Sequence, residues 1–345
     1  MLEIGMICAE AGEKKTGWLE IEGGGQKLPL TLICGAKEGP TMMISAGVHG
    51  AEYIGVQALS ELSRELDPKD TAGNVICLHV ANPSAFRDYV RFFVPEDGKN
   101  LNRVFPGAAD GTPTQKLAAF LESEIIGHTD YLVDLHSGGF CEALVPHVYY
   151  HGAAKPSVCA ESFRIAELTS AKFLVRSETK NGFYSHAGQC GVPAIILERG
   201  GCGLLHEEEV RQDLADVKNI LRGLGFLLDL PAKVYPHRLA QNGRYLDAPV
   251  SGCWYPKKAA GRQTQDRGAF GRDPKLLWRN AVPHFRRSRR CAAVSDGILG
   301  IKAGTPMIAY AEVGKGSITM ISAIEQRVRH YWTLRSHDFG AVREK

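Results

Sequence analysis

Three side chains able to hold or serve a metal ion each close an apolar run. His49-Gly50-Ala51-Glu52 comes just after the run 41–46. His136 follows 131–135 within Asp134-Leu135-His136-Ser137-Gly138-Gly139. Glu198 follows 192–197, ahead of Arg199-Gly200-Gly201. In an open α/β sheet, the carboxyl ends of the strands are where ligands bind. Two imidazoles and a carboxylate make the three-protein-ligand set of a catalytic zinc, with a fourth position left for water. His49 and Glu52 are three residues apart, so a strand-to-helix turn can present both on one face. Glu198 then remains as an unligated carboxylate where a general base is needed. Each residue also has a plainer reading. An HxxE pair recurs by chance, a histidine after a strand often serves as a cap, and Glu198 could pair with Arg199 at the surface. His79, inside VICLHVAN, reads as a core or supporting histidine. The joint pattern, with every such group at the end of a separate apolar strand, favours the metal site.

A second set lies between the first two ligand positions. Arg91 stands in VRFF, and Lys99-Asn100-Leu101-Asn102-Arg103 occupies a loop flanked by Gly and Pro. Basic and amide groups there suit a substrate carboxylate, for which Arg offers a two-pronged grip; the plainer alternative is a solvated basic loop. Tyr184, in NGFYSHAGQ, is either a hydrogen-bond donor over the site or a half-buried aromatic.

The elements that must position these groups follow from apolar spacing. Strand patterns cover 17–21, 28–34, 41–46, 74–81, 131–135, 173–176 and 192–197. Helical patterns cover 52–66, 115–126, 160–169 and 207–228. In the first helix Ile54, Ala58, Leu62 and Leu66 recur at steps of four. Strand and helix alternate, with strands bounded by Gly and Pro, which predicts an α/β fold with a parallel or mixed sheet sandwiched by helices. After about residue 230 the texture becomes short β-like pieces punctuated by Pro231, Pro236, Pro249 and Pro256. Two units are expected: a catalytic domain over 1–228 and a smaller β-rich domain over 229–345.

The 345 residues carry 44% hydrophobic and 23% charged side chains, an ordinary globular balance. No apolar run approaches the ~18 residues needed to cross a membrane, and the N-terminus lacks a secretory pattern. Nine cysteines, an odd number without a CxxC pair, suit reduced thiols in a cytoplasm. The net charge of +3 is uneven: residues 255–290 hold eleven Lys or Arg against two acids, and the rest of the chain is net acidic. A nucleic-acid partner is therefore not expected from the pI alone.

The runs SAGVHGAE, NPSAFRDYVRFF, DGKNLNRVFPG, DLHSGG and AIILERGG, in this order, resemble the succinylglutamate desuccinylase/aspartoacylase family over about residues 25–228. These are zinc amidohydrolases on the metallocarboxypeptidase α/β fold. The resemblance implies one Zn2+ per chain on His49, Glu52 and His136, with Glu198 activating the water at that zinc. It implies Arg91 polarising the scissile carbonyl, and Asn102 and Arg103 holding a substrate carboxylate. Tyr184 lies 14 residues before Glu198, where aspartoacylases have an active-site tyrosine. Those enzymes carry a further substrate-binding arginine four residues on, where this chain has Gly188. That departure points away from N-acetylaspartate toward another N-acyl amino acid, with no membrane partner and with a homo-oligomer left open. The bacterial branch also has a C-terminal β domain. The stretches 257–292 and 315–345 look unlike the family. Compensating frameshifts account for the first better than a genuine basic loop does. The competing functions are a metallocarboxypeptidase acting on peptides and a catalytically inactive zinc-binding module.

Overall fold

The structure is a computed structural model that describes residues 1–21, 26–248, 252–254, 260, 263–264, 299–301, 303–304, 306–313 and 317–324. A sheet of thirteen described strands runs through it. At its centre, Ala72–Leu78, Lys37–Ala46, Tyr131–His136 and Ala194–Glu198 lie side by side and parallel. His147–His151 then pairs antiparallel to Ala194–Glu198, and Phe173–Ser177 and Arg238–Asp247 continue parallel to it. Beyond Arg238–Asp247 come Pro306–Val313, Ser317–Ile324 and Gln263–Thr264. Lys27–Cys34 and Glu13–Glu20 finish the opposite edge, both antiparallel.

The central strands are apolar on both faces because helices cover both. Met42, Ile44, Val133, Ile195 and Leu197 pack with Leu59, Leu62, Ile165, Val217, Ile220 and Leu221. These come from the helices Tyr53–Glu65, Pro156–Ala166 and Glu207–Gly223. The alternate residues Met43, Leu132 and Ile196 pack with Leu117, Leu121, Phe183 and Ala187, from Pro113–Glu124 and Phe183–Gln189. Period-two alternation thus sorts each strand between two cores.

The expected strands and helices are present with ends shifted by a few residues. Glu207–Gly223 stops short of residue 228, because the chain turns at Gly225, whose φ of +83° is open to glycine. Elements that apolar spacing does not announce include Glu142–Leu144, His147–His151, Phe183–Gln189 and the longer Arg238–Asp247. After residue 230, four described strands continue the edge of the central sheet, while Gly252–Trp254 and Leu299–Ile301 pair with each other in a separate two-stranded sheet. Most of the basic stretch 257–292 lies outside the described residues, as does the tail after 324. No described helix is long and apolar enough to cross a membrane.

Candidate active site

The strands ending in Ala46, His136 and Glu198 are neighbours in register: Ala46 pairs with Leu135, and Glu198 pairs with His136. Their carboxyl ends therefore open at one place. After Ala46, Gly47 (φ +66°) turns the chain into Val48-His49 and on to Glu52, which caps the helix Tyr53–Glu65. Glu52 sits between the two imidazoles. Its Oε1 lies 2.8 Å from His49 Nδ1 and its Oε2 lies 2.9 Å from His136 Nδ1. One donor atom from each of these three buried residues lies within 4.8 Å of the others.

The remaining ring nitrogens decide whether this set fits a metal. His136 Nε2 donates to Asp134 Oδ2 at 2.9 Å, and Asp134 in turn accepts from Ser45 Oγ at 2.7 Å. His49 Nε2 meets Asn100 Oδ1 at 3.3 Å. Each contact orients its ring with Nδ1 toward Glu52, where it donates to the carboxylate and, once deprotonated, could ligate a metal. Burial works to raise the Glu52 carboxyl, but the charges and hydrogen bonds of His49 and His136 outweigh it and hold it at about 2. Burial works to lower His136, and Asp134 and Glu52 outweigh it, so its pKa stands well above the usual imidazole value. Two imidazoles and an ionised carboxylate are a sound donor set for zinc.

These groups form the floor of a cavity of about 380 Å³. Glu198 lines it, and burial, then the carboxylates Glu52, Glu142 and Asp134, push its carboxyl up to about 8 against the pull of His136. Arg91 lines it too; its guanidinium lies 4.0 Å over the Phe92 ring and donates through Nη2 to Glu142 at 3.2 Å, leaving Nε buried without a partner. Arg103 is exposed at the rim and donates through Nη1 to the Asn102 carbonyl at 2.6 Å. Asn102 is buried, and its Oδ1 accepts from the Phe183 N–H at 2.8 Å. Asn102 therefore anchors the helix that carries Tyr184. The Tyr184 hydroxyl lines the cavity, buried and without a partner, and burial pushes it up to about 12. All eight residues singled out in the sequence thus line one cavity.

Two of the plainer readings have a structural outcome. His79 is half-buried and bonds Thr31 Oγ1 through Nε2 at 2.8 Å, apart from the cavity. Arg199 does not pair with Glu198: it is 1% exposed and bonds Asp213, Gln212, Ser170 and Asp216 on the other side. Sequence reasoning missed Asp134, although a D-x-H on a strand places both side chains on one face. It also missed Glu142, Tyr149 and Tyr245, which line the cavity from elements without an apolar period. At Gly188 a Cβ would stand 2.3 Å from the His151 ring, which is buried and stacked on Tyr184 with centroids 4.9 Å apart. The His151 imidazole thus occupies the space beside Gly188.

Residues 38–224 match the Succinylglutamate desuccinylase/Aspartoacylase catalytic domain. The chain belongs to this family. It is 29% identical, over 244 residues, to the N-alpha-acetyl-L-2,4-diaminobutyric acid deacetylase of Halomonas elongata, covering 69% of this chain and 68% of the relative. The fold is shared with a succinylglutamate desuccinylase/aspartoacylase from Rhodobacter sphaeroides (TM-score 0.66, 24% identity, 94% and 99% of the two chains). It is shared also with the product-bound ectoine utilization protein EutE (DoeB) of Ruegeria pomeroyi (TM-score 0.67, 22% identity, 93% and 97%). As a family member with a deacetylase relative, the chain is an enzyme whose homologues are deacylases.

Proposed function

We propose that the protein is a zinc-dependent deacylase that hydrolyses the amide bond of a small N-acyl amino acid, with an acetyl group as the leading acyl candidate. The observation that carries this reading is the convergence of His49, Glu52 and His136 on one point in the cavity that Glu198 lines. Zinc bound there supplies a Lewis acid for the scissile carbonyl and lowers the pKa of a water.

The chain's own groups do the rest. Glu198 takes a proton from the attacking water and delivers it to the departing amine. Its raised pKa suits a group that must hold a proton between those steps, and a nearby cation would draw that pKa down. Arg91, held by Phe92 and Glu142, meets the carbonyl oxygen as negative charge develops. Arg103 grips the amino-acid carboxylate at the rim, beside Asn102. Tyr184 offers its unspent hydroxyl to the substrate.

Gly188 backed by His151, together with the deacetylase relative, supports a substrate other than N-acetylaspartate. Seven free thiols among the described residues support a reducing, cytoplasmic setting. The division at 228/229 remains our reading of the chain, with the strands after 230 forming a C-terminal unit. The deciding experiment is metal analysis combined with a screen of N-acyl amino acids and peptides. We expect about one zinc at this site, lost in His49→Ala and His136→Ala, and amine release from the small substrates. Cleavage of peptides alone would mark a carboxypeptidase, and zinc without turnover would mark a binding module.

A further inference from the structure

Away from the cavity, three different donor types meet on the outer face of the helix Phe183–Gln189. His186 lies on this helix, and Cys190 follows four residues later at its C-terminal cap, so the two share a face. Glu122 reaches them from the helix Pro113–Glu124. His186 Nε2 lies 3.6 Å from Glu122 Oε1 and 3.4 Å from Cys190 Sγ. One donor atom from each residue lies within 4.8 Å of the others. Donors bound at about 2.0–2.3 Å to a tetrahedral ion are separated by about 3.3–3.6 Å. The two measured spacings fall in that range.

We propose that Glu122, His186 and Cys190 form a second transition-metal site, selective for zinc-like ions over Mg2+ or Ca2+. Thiolate and imidazole give it that preference, since hard cations require oxygen ligands. The imidazole is held for the purpose. It lies near-parallel to Phe105, with ring centroids 6.1 Å apart, and Phe105 stacks on Phe183 in turn. The His186 side chain is 13% exposed and Glu122 38%, so the shell is sheltered yet reachable, with a fourth position open to water. An ion here ties the helix that carries Tyr184 to Pro113–Glu124, at the end opposite its Asn102 anchor. The site thus fixes the far end of an element that lines the active-site cavity.

Cobalt(II) is the probe, because a thiolate ligand gives a near-ultraviolet charge-transfer band that the sulfur-free His49–Glu52–His136 set cannot give. Metal-free protein titrated with Co2+ should develop this band in the wild type and in Cys8→Ser, a control for another exposed thiol. Cys190→Ser should lack it. Glu122→Gln should keep the band with Co2+ affinity at least about tenfold weaker. The proposal is overturned if the folded wild type shows no band at saturating Co2+, if Cys190→Ser keeps it at full intensity, or if Glu122→Gln binds as tightly as wild type. Because the readout is sulfur-specific, it stands or falls independently of the deacylase assignment.

Discussion

Consecutive residues at the end of one strand, Glu198 and Arg199, enter two buried clusters of charge that behave oppositely. On one side, Glu198 shares a cavity with groups that hold capacity in reserve: the Tyr184 hydroxyl and Arg91 Nε have no partner. On the other side, every guanidinium nitrogen of Arg199 is committed. Nε bonds Asp213 at 2.8 Å, Nη1 bonds Gln212 at 2.7 Å, and Nη2 bonds Ser170 at 3.2 Å and Asp216 at 2.5 Å. That network ties the helix Glu207–Gly223 to the sheet. Buried charge alone therefore does not mark a reactive site; in the second cluster the cation is fully bonded, and the unpartnered atom is Asp213 Oδ2.

The contrast predicts separate losses. Glu198→Gln should keep zinc and fold normally yet lose turnover by roughly 10²–10⁴-fold, since the amide cannot carry the proton. Activity within a few-fold of wild type with metal bound would place the base elsewhere. Arg199→Met should do the reverse: it leaves Asp213 and Asp216 buried without their cation, at a cost of about 3–5 kcal/mol in denaturant unfolding. The fraction that remains folded should retain near-normal kcat. Loss of turnover without loss of stability in Arg199→Met would erase the distinction between the two clusters.

A pH measurement sharpens it further. Burial, aided by Asp216 and Glu209, raises the Asp213 carboxyl to about 8 despite Arg199. The folded protein therefore holds a proton that the unfolded chain releases near pH 4. Its contribution is fully present below that pH and is lost as pH rises through about 8, so stability should fall with pH across this window. Asp213→Asn should flatten the fall when unfolding is compared at pH 5 and 7.5; an unchanged slope would mean that the carboxyl is ionised in the fold. The smallest effect is expected at the rim. Arg103→Lys keeps the charge and loses the fork, and because Arg103 is exposed the cost should sit near about tenfold in kcat/KM. The comparison to make is an N-acyl amino acid against its carboxyl-amide analogue: equal rates on wild type would remove carboxylate recognition.

The candidate cluster is legible in the sequence because the ends of parallel strands gather at one edge of the sheet. His49, His136 and Glu198 each terminate an apolar run, and the order of those runs places them on one edge. Asp134 was within reach, two residues before His136 on the same strand. Glu142 and Tyr149 were not, because Glu142–Leu144 and His147–His151 are short strands whose side chains face neither core uniformly. Asn102 was correctly drawn to the cavity, but its hydrogen bond to the Phe183 backbone depends on a contact 81 residues away that no local pattern encodes. Arg199 was misleading for a related reason: a charged residue next to a charged residue suggests surface, and only the packing of the helix Glu207–Gly223 reveals it as buried.

The contact between Gly188 and His151 bears on how such enzymes diverge. A side chain at position 188 would bring its first carbon within 2.3 Å of the imidazole, so the ring at 151 must shift to admit it. Positions 188 and 151 are therefore coupled, and a library that varies both should recover more folded members than one that varies 188 alone.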